Sequence, residues 1–279
     1  MESSYRFQIG DFECLVVNDG TYIGNAEMLF ANAPEEQLLA ALQANDLKPD
    51  YLPSTLSCLL VKTPANIVLI DTGFGTGGKN GGQLLSILRA EGLRPEDIDS
   101  VILTHAHADH IGGCVDEEGR VTFSEATHYM WQDEWDYWTS ESEQLNVSQW
   151  AAKTARVKLP PLARQLKLIE NEIEIVPGIR AFAAPGHTTG HMAVEIESSG
   201  EFLIDIIDTA LHPIQVAYPE WYSLLDQFPE QTVATRHAVY QRAIERNALV
   251  LAFHFFPFPS LGYIARQNGK FKWQSLKGR

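Results

Sequence analysis

The sequence predicts an α/β protein built as a four-layer αββα sandwich. Three observations predict it. Short β-branched, apolar runs recur from residue 12 to residue 254, helical patterns interleave with them, and the series falls into two halves that each run strands and then helices. Such halves suit two face-packed sheets under outer helices better than one purely parallel, doubly wound sheet. The chain has 279 residues, 45% of them hydrophobic. That is enough to bury a sizeable core, and residues 1–279 are read as one domain.

Strands are expected, in order, at "FECLVV" (12–17), "TLSCLLVK" (55–62), "NIVLID" (66–71), "SVILTH" (100–105) and "ATHYMW" (126–131). The second half supplies "IRAFAAP" (179–185), "HMAVEIE" (191–197), "EFLIDIID" (201–208) and "ALVLAFH" (248–254). Their apolar runs are what strands buried on one or both faces require. Helices are expected at about residues 35–44, 82–91, 141–152 and 229–246. The last opens with Pro229-Glu230 and carries Val233, Val239, Ala243 and Ile244 on one broad face. No low-complexity tract or solenoid repeat interrupts the series.

The formal net charge is −15, which argues against a phosphate-binding surface and hence against nucleic acid as a partner. No apolar run approaches the roughly 18 residues of a membrane span. The start "MESSYRFQIGDFECLVVNDG" shows no basic, then apolar, signal sequence. The cytoplasm is the expected location. The three cysteines, Cys14, Cys58 and Cys114, have no paired spacing, so neither a disulfide framework nor a thiolate zinc knuckle is expected. They read as buried inert thiols, with Cys114 singled out only because it follows a histidine cluster.

That cluster is "THAHADHIGG" (104–113), which holds three of the nine histidines. It follows a strand directly. His105 and His107 alternate by two and face one side of an extended segment, while Asp109 and His110 follow where the chain turns. One segment can thus offer imidazole and carboxylate ligands to two nearby points, a donor set suited to zinc and similar metals. Further candidates end other strands: His187 in "AFAAPGHTTGH", Asp208 in "EFLIDIIDTALHP" with Asp205 as rival, and His254 in "ALVLAFHFFPFP". A bare polar group closing an apolar strand is costly if buried and unpaired, so several together favour a shared metal site. Regular β structure would put Asp205 and Asp208 on opposite faces, so only one of them can be a ligand.

Between residues 128 and 150 the chain carries Trp131, Trp135, Trp138 and Trp150 beside Tyr129 and Tyr137. Helical spacing reads as a packed cap, and the neighbouring histidines make an aromatic pocket wall the alternative, with Trp131 and Trp135 as candidates.

The combination resembles the metallo-β-lactamase fold superfamily. Its His-x-His-x-Asp-His signature is matched by His105, His107, Asp109 and His110, its Asp-Thr-Gly loop by "IDTGFG" (70–75), and its Pro-Gly-His turn by "PGHTTGH" (185–191). The resemblance implies that superfamily's αββα sandwich. It implies that His105, His107 and His187 hold one metal, that Asp109, His110 and His254 hold the other, and that Asp208 bridges them. The implied cofactors are two divalent ions per chain, zinc expected, with manganese or iron as alternatives. Asp71 would orient a ligating imidazole, Thr188 and His191 would support the site, and His128 and His237 read as structural. The family usually has glycine before the bridging aspartate, whereas this chain has Ile207.

The implied activity is hydrolysis, with a hydroxide bridging two metals as nucleophile and Asp109 receiving the proton. Asp109 and Asp208 are therefore the catalytic candidates. "HPIQVAYPEW" and "HFFPFPSLG" resemble the branch containing methyl-parathion-hydrolase-like enzymes and related lactonases, which implies an ester, lactone or phosphotriester substrate and often a homodimer. The rival readings are a mononuclear iron enzyme like the persulfide dioxygenases, which lack a counterpart of His254, and a non-catalytic binding protein on the same fold. Leu211 stands where many lactonases carry a substrate-binding tyrosine. With His212, it marks the candidate substrate pocket.

Overall fold

The computed structural model describes residues 2–76, 78, 80–140 and 149–276. Among these the strands form two seven-stranded sheets. The first carries β1 (Ser4–Ile9), β2 (Phe12–Gly24), β3 (Leu52–Lys62), β4 (Ile67–Ile70), β5 (Ser100–Ile102), β6 (Thr127–Trp131) and β7 (Leu166–Ile169), side by side in that order. The second carries β8 (Ile173–Val176), β9 (Ile179–Ala183), β10 (Met192–Ser198), β11 (Glu201–Asp205), β12 (Leu249–Leu251), β13 (Leu261–Gln267) and β14 (Lys270–Ser275). Both sheets are mixed: β4 through β7 pair in parallel, and so do β11 and β12, while the other neighbours are antiparallel.

Alternation of side chains divides the apolar residues among layers. Val16, Leu59, Val61 and Val68 meet Ile179, Val194, Ile196 and Leu251 between the sheets. Leu15, Val17, Cys58 and Leu60 turn outward onto α3 (Leu84–Ala90), α5 (Gln132–Thr139) and α6 (Gln149–Lys158). On the far side, Ala193, Ile204 and Val250 pack under α8 (Pro229–Arg246) through Val239, Tyr240 and Ala243. The result is helices, two sheets and helices: the αββα sandwich. Short helices α1 (Ala26–Leu29) and α7 (Ile214–Ala217) and the longer α2 (Glu35–Ala44) form a satellite cluster around Leu29, Phe30, Leu211 and Trp221. Among the described residues no helix is long and apolar enough to cross a membrane.

Several expected boundaries shift. Strands expected to run to 105, 208 and 254 stop at Ile102, Asp205 and Leu251, because the following residues turn away to converge on one point. The helix expected at 141–152 lies in part outside the described residues, and its described portion continues to Lys158. The buried face of α8 is Thr232, Arg236, Val239, Tyr240 and Ala243, not one through Val233 and Ile244, which are half-buried. Arg236 can be buried there because it donates to the carbonyls of Thr209 (2.7 Å), Trp221 (2.6 Å) and Pro219 (3.2 Å).

Candidate metal centre

Five loops at the carboxyl ends of β4, β5, β9, β11 and β12 meet above one edge of the sandwich, the β5 loop carrying the one-turn helix α4 (Ala108–Ile111). Their backbones approach closely: Thr72 N–H donates to His110 O at 2.7 Å, and Gly113 N–H to Gly73 O at 3.1 Å. A Cβ on Gly113 would stand 2.2 Å from Thr72 O, so the second glycine of "HIGG" is required by this contact.

Two groups of side chains result. His105, His107, His187 and Asp208 bring one ligand atom each to within 4.8 Å of one another, and so do Asp109, His110 and His254. His107 Nδ1 lies 3.0 Å from Nε2 of both His105 and His187. A single ring nitrogen cannot share a proton well with two others, whereas spacings near 3 Å suit nitrogens surrounding one ion at about 2.0–2.1 Å. Asp208 Oδ2 sits between the groups, 3.2 Å from His187 Nε2 and His254 Nε2, 3.5 Å from His110 Nε2 and 3.7 Å from His105 Nε2.

The opposite nitrogens are anchored. His110 Nδ1 meets Asp71 Oδ2 at 2.7 Å, His187 Nδ1 meets Asp226 Oδ1 at 2.9 Å, and His254 Nδ1 donates to Thr55 O at 3.1 Å. Each anchor fixes the tautomer that leaves Nε2 as an acceptor facing inward. His110 Nε2 and Asp208 Oδ1 are buried without a hydrogen-bond partner. Orphaned atoms of this kind, in a set of imidazoles and carboxylates, fit a pair of divalent cations.

The electrostatics are split. Burial and neighbouring imidazoles hold His105 and His107 well below the usual histidine range, so both are neutral. At His187 burial opposes protonation, but Asp208 and Asp226 outweigh it and push the ring up to about 9. At His110 burial is likewise outweighed by Asp208, Asp71 and Asp109, which raise it. Asp208 is held well below the carboxylate range, since His254 and His110 overcome its burial.

Asp205 is buried beneath the site and does not face the imidazoles. Its Oδ1 takes only the Ile207 N–H at 3.3 Å, its Oδ2 has no partner, and burial pushes it far up. Asp208 lies in a 3-10 turn (Ile207–Thr209), so the separation of the two aspartates comes from that turn and not from strand alternation. Ile207 has φ 50°, a left-handed conformation that a β-branched residue rarely adopts. The turn keeps the geometry that glycine would accept without strain, and Ile207 is held in it by full burial between the sheets.

His191 takes the Asp208 N–H on Nε2 (3.1 Å) and donates Nδ1–H to Ala184 O (2.8 Å). Thr188 donates to Glu134 Oε2 at 2.8 Å. Among the expected pocket residues, Trp131 packs between the sheets and Leu211 is 1% exposed in the satellite cluster, so neither is an open wall. Trp135 is half-buried against the outer helical layer, and His212 is buried edge-on to Phe30. Of Trp131, Trp135 and Trp138, it is Trp138 that stands against a ligand candidate, edge-on to His107 at 5.7 Å between ring centroids. The side chain of Trp150 lies outside those described. Cys114 is buried, its thiol pushed up to about 12, and therefore inert. His128 is wholly buried and His237 pairs with Glu220 on the surface, both away from the cluster.

Sequence reading missed Glu134 and Asp226. Glu134 is a buried carboxylate accepting from Ala106 N (2.8 Å), Trp138 Nε1 (2.6 Å), Thr188 Oγ1 (2.8 Å) and Gly190 N (2.8 Å). It ties the His105 loop to the His187 loop. The only sequence signal was an acid set among tryptophans in "WQDEWDYW". Asp226, in "SLLDQFP", had none.

Residues 51–204 match the model of the metallo-beta-lactamase superfamily. The chain belongs to that superfamily. An N-acyl homoserine lactonase from Bacillus sp. is 29% identical over 171 residues, which cover 53% of this chain and 62% of the lactonase. The alignment therefore spans less than two thirds of that relative's length. AidC, a dizinc quorum-quenching lactonase solved with a product, superposes with TM-score 0.87 at 25% identity, covering 97% of this chain and 96% of its own. The hydrolase AbOPH, of the beta-lactamase superfamily, superposes with TM-score 0.90 at 25% identity over 100% of this chain and 99% of its own.

Proposed function

We propose that this family member is a metal-dependent hydrolase acting on a small-molecule lactone, carboxyl ester or phosphotriester, and that residues 1–279 work as one domain. The observation that carries the reading is Asp208 Oδ2 facing four imidazole nitrogens, two from each group. In this reading His105, His107 and His187 would hold one divalent ion, Asp109, His110 and His254 would hold the second, and Asp208, set between the two groups, would serve both. Zinc is the proposed metal, since imidazole and carboxylate donors suit it and AidC is described as dizinc. Ions held there would acidify water and polarise a carbonyl or phosphoryl oxygen.

The chain's own residues supply the rest. Water adds to the acyl carbon or phosphorus, the bond to the leaving oxygen breaks, and the proton lost by water must reach that oxygen. Asp109, half-buried at the mouth of the cluster, is the carboxylate placed to carry it. Asp71 and Asp226 keep the imidazoles oriented, and Glu134 holds the two ligand loops together.

Metal analysis of protein purified without chelators, followed by initial rates on matched lactone, arylester and phosphotriester substrates, tests this. The expected result is close to two ions per chain and chelator-sensitive hydrolysis. A metal-free active protein would overturn the reading, as would a metal-loaded protein inert on all three classes. A single bound iron would point to the dioxygenase alternative.

A further inference from the structure

Hydrolysis of a carboxyl ester builds negative charge on the former carbonyl oxygen, and a donor aimed at that oxygen lowers the barrier. Leu211 has none to give. His212 accepts the Ile214 N–H on Nδ1 at 3.1 Å and so carries its proton on Nε2, but its ring stands against Phe30 in the satellite cluster. A phenol beside a ligand candidate comes from a different part of the chain.

β2 contains a bulge between Asn18 and Gly20. Before it, odd-numbered Leu15 and Val17 face the outer helical layer. After it, even-numbered Tyr22 does, opposite Ser54 of β3. A bulge re-aims the side chains beyond it, and this one is braced at Asp19, whose carboxylate accepts from Phe74 N (2.9 Å), Gly82 N (2.8 Å) and Leu84 N (2.8 Å). The Tyr22 ring consequently stands edge-on to His254, 5.5 Å between centroids at 87°. Ser54, opposite Tyr22 in the ladder, donates its Oγ–H to His254 O at 2.8 Å. The strand pair that presents Tyr22 to His254 therefore also holds the His254 backbone.

We propose that the Tyr22 hydroxyl, held beside His254, donates to the substrate's carbonyl oxygen as that oxygen gains charge; this rests on the hydrolase reading above. Ester or lactone carbonyls are the class it serves.

Two measurements on metal-loaded wild type and Tyr22→Phe test the proposal. The first is calorimetric binding of monohexyl methylphosphonate, whose anionic oxygens stand in for the charged oxygen. The second is steady-state hydrolysis of a lactone and an alkyl ester. Tyr22→Phe is expected to keep its two metals, bind the phosphonate at least about 10-fold more weakly, and lose on the order of 10²-fold in kcat with KM little changed. Equal phosphonate affinity in the two proteins overturns it, as does an unchanged kcat. If the phosphonate distinguishes the two proteins while wild type hydrolyses neither substrate, the tyrosine contact stands and the hydrolase reading fails.

Discussion

Asp226 Oδ1 lies 2.9 Å from His187 Nδ1, although the two residues are far apart in sequence and no motif links them. The carboxylate is itself pinned, by Ser223 N at 2.8 Å and by Arg236 Nη2 at 3.4 Å. Removing it would free the His187 ring to rotate or change tautomer. Asp226→Ala is expected to weaken metal binding by roughly 10–100-fold. It should also destabilise the fold by leaving Arg236 buried with one partner fewer. Competition with a metallochromic chelator, read beside a melting curve, measures both effects. An unchanged metal affinity would show that Asp226 is a structural anchor for Arg236 alone.

The metal-ligand candidates were legible in the sequence because each is a polar residue just past an apolar run, in a short motif. The groups that hold them were not. Asp226 and Glu134 act through contacts across 39 and 54–56 residues of chain, and nothing local marks them. The strand ends were misread for a related reason. Apolar character continues through Leu103, Ile206–Ile207 and Ala252–Phe253, but these residues are buried in turns, and periodicity cannot separate a buried turn from a buried strand. The αββα order itself was readable, because alternation on β2 and β3 already sorts residues between two apolar layers.

The paired aspartates should behave in opposite ways. Asp208→Asn weakens the charge that faces four imidazole nitrogens, so it should keep the fold but lose much of the metal and activity. Asp205→Asn replaces a carboxyl that burial and Asp71 push far above its ordinary value, and the metal content should stay near wild type. The pH dependence has a definite sign. Asp205 ionises in the unfolded chain near pH 4 but stays protonated when folded, so the folded state binds the extra proton and stability falls as pH rises above about 4. Asp205→Asn removes that loss. Melting curves of apo-protein at several pH values should show a shallower decline than wild type, and metal analysis of both variants should rank them as stated. The reverse metal ranking would move the bridging role to Asp205.

Glu134 accepts four donors from three segments, so its neutral isostere cannot replace it: one side of an amide would turn N–H groups toward the N–H and O–H groups already there. Glu134→Gln is expected to destabilise the protein by about 3–5 kcal/mol, the range for breaking a buried charged network. Metal binding should fall with it, since the His105 and His187 loops lose their common anchor. Thr188→Val removes a single donor and should cost only about 1–3 kcal/mol. Denaturant unfolding of the two variants with metal bound checks the order. Equal, small effects would mean that the loops are held by backbone contacts alone.

Leu211 decides a last question, about which substrates the site favours and why. It is 1% exposed, its N–H donates to Gln215 Oε1 at 2.8 Å, and it packs with Leu29, Phe30, Ile214 and Trp221. An apolar side chain so placed gives no hydrogen bond to a substrate oxygen, and arylesters or aryl phosphotriesters, with good leaving groups, depend least on such help. Measurable turnover of one of those classes is therefore expected. Introducing a hydroxyl at this position should not raise lactone turnover. Leu211→Tyr adds volume and a polar group to a filled cluster, at a cost of roughly 1–3 kcal/mol, and its ring would have to displace Phe30 or Trp221. The expected outcome is a melting point lowered by several degrees with no gain in kcat/KM for acyl-homoserine lactones. A variant of wild-type stability whose lactone turnover rises tenfold or more would show that the cluster yields readily, and that a donor at this position adds to the one assigned to Tyr22.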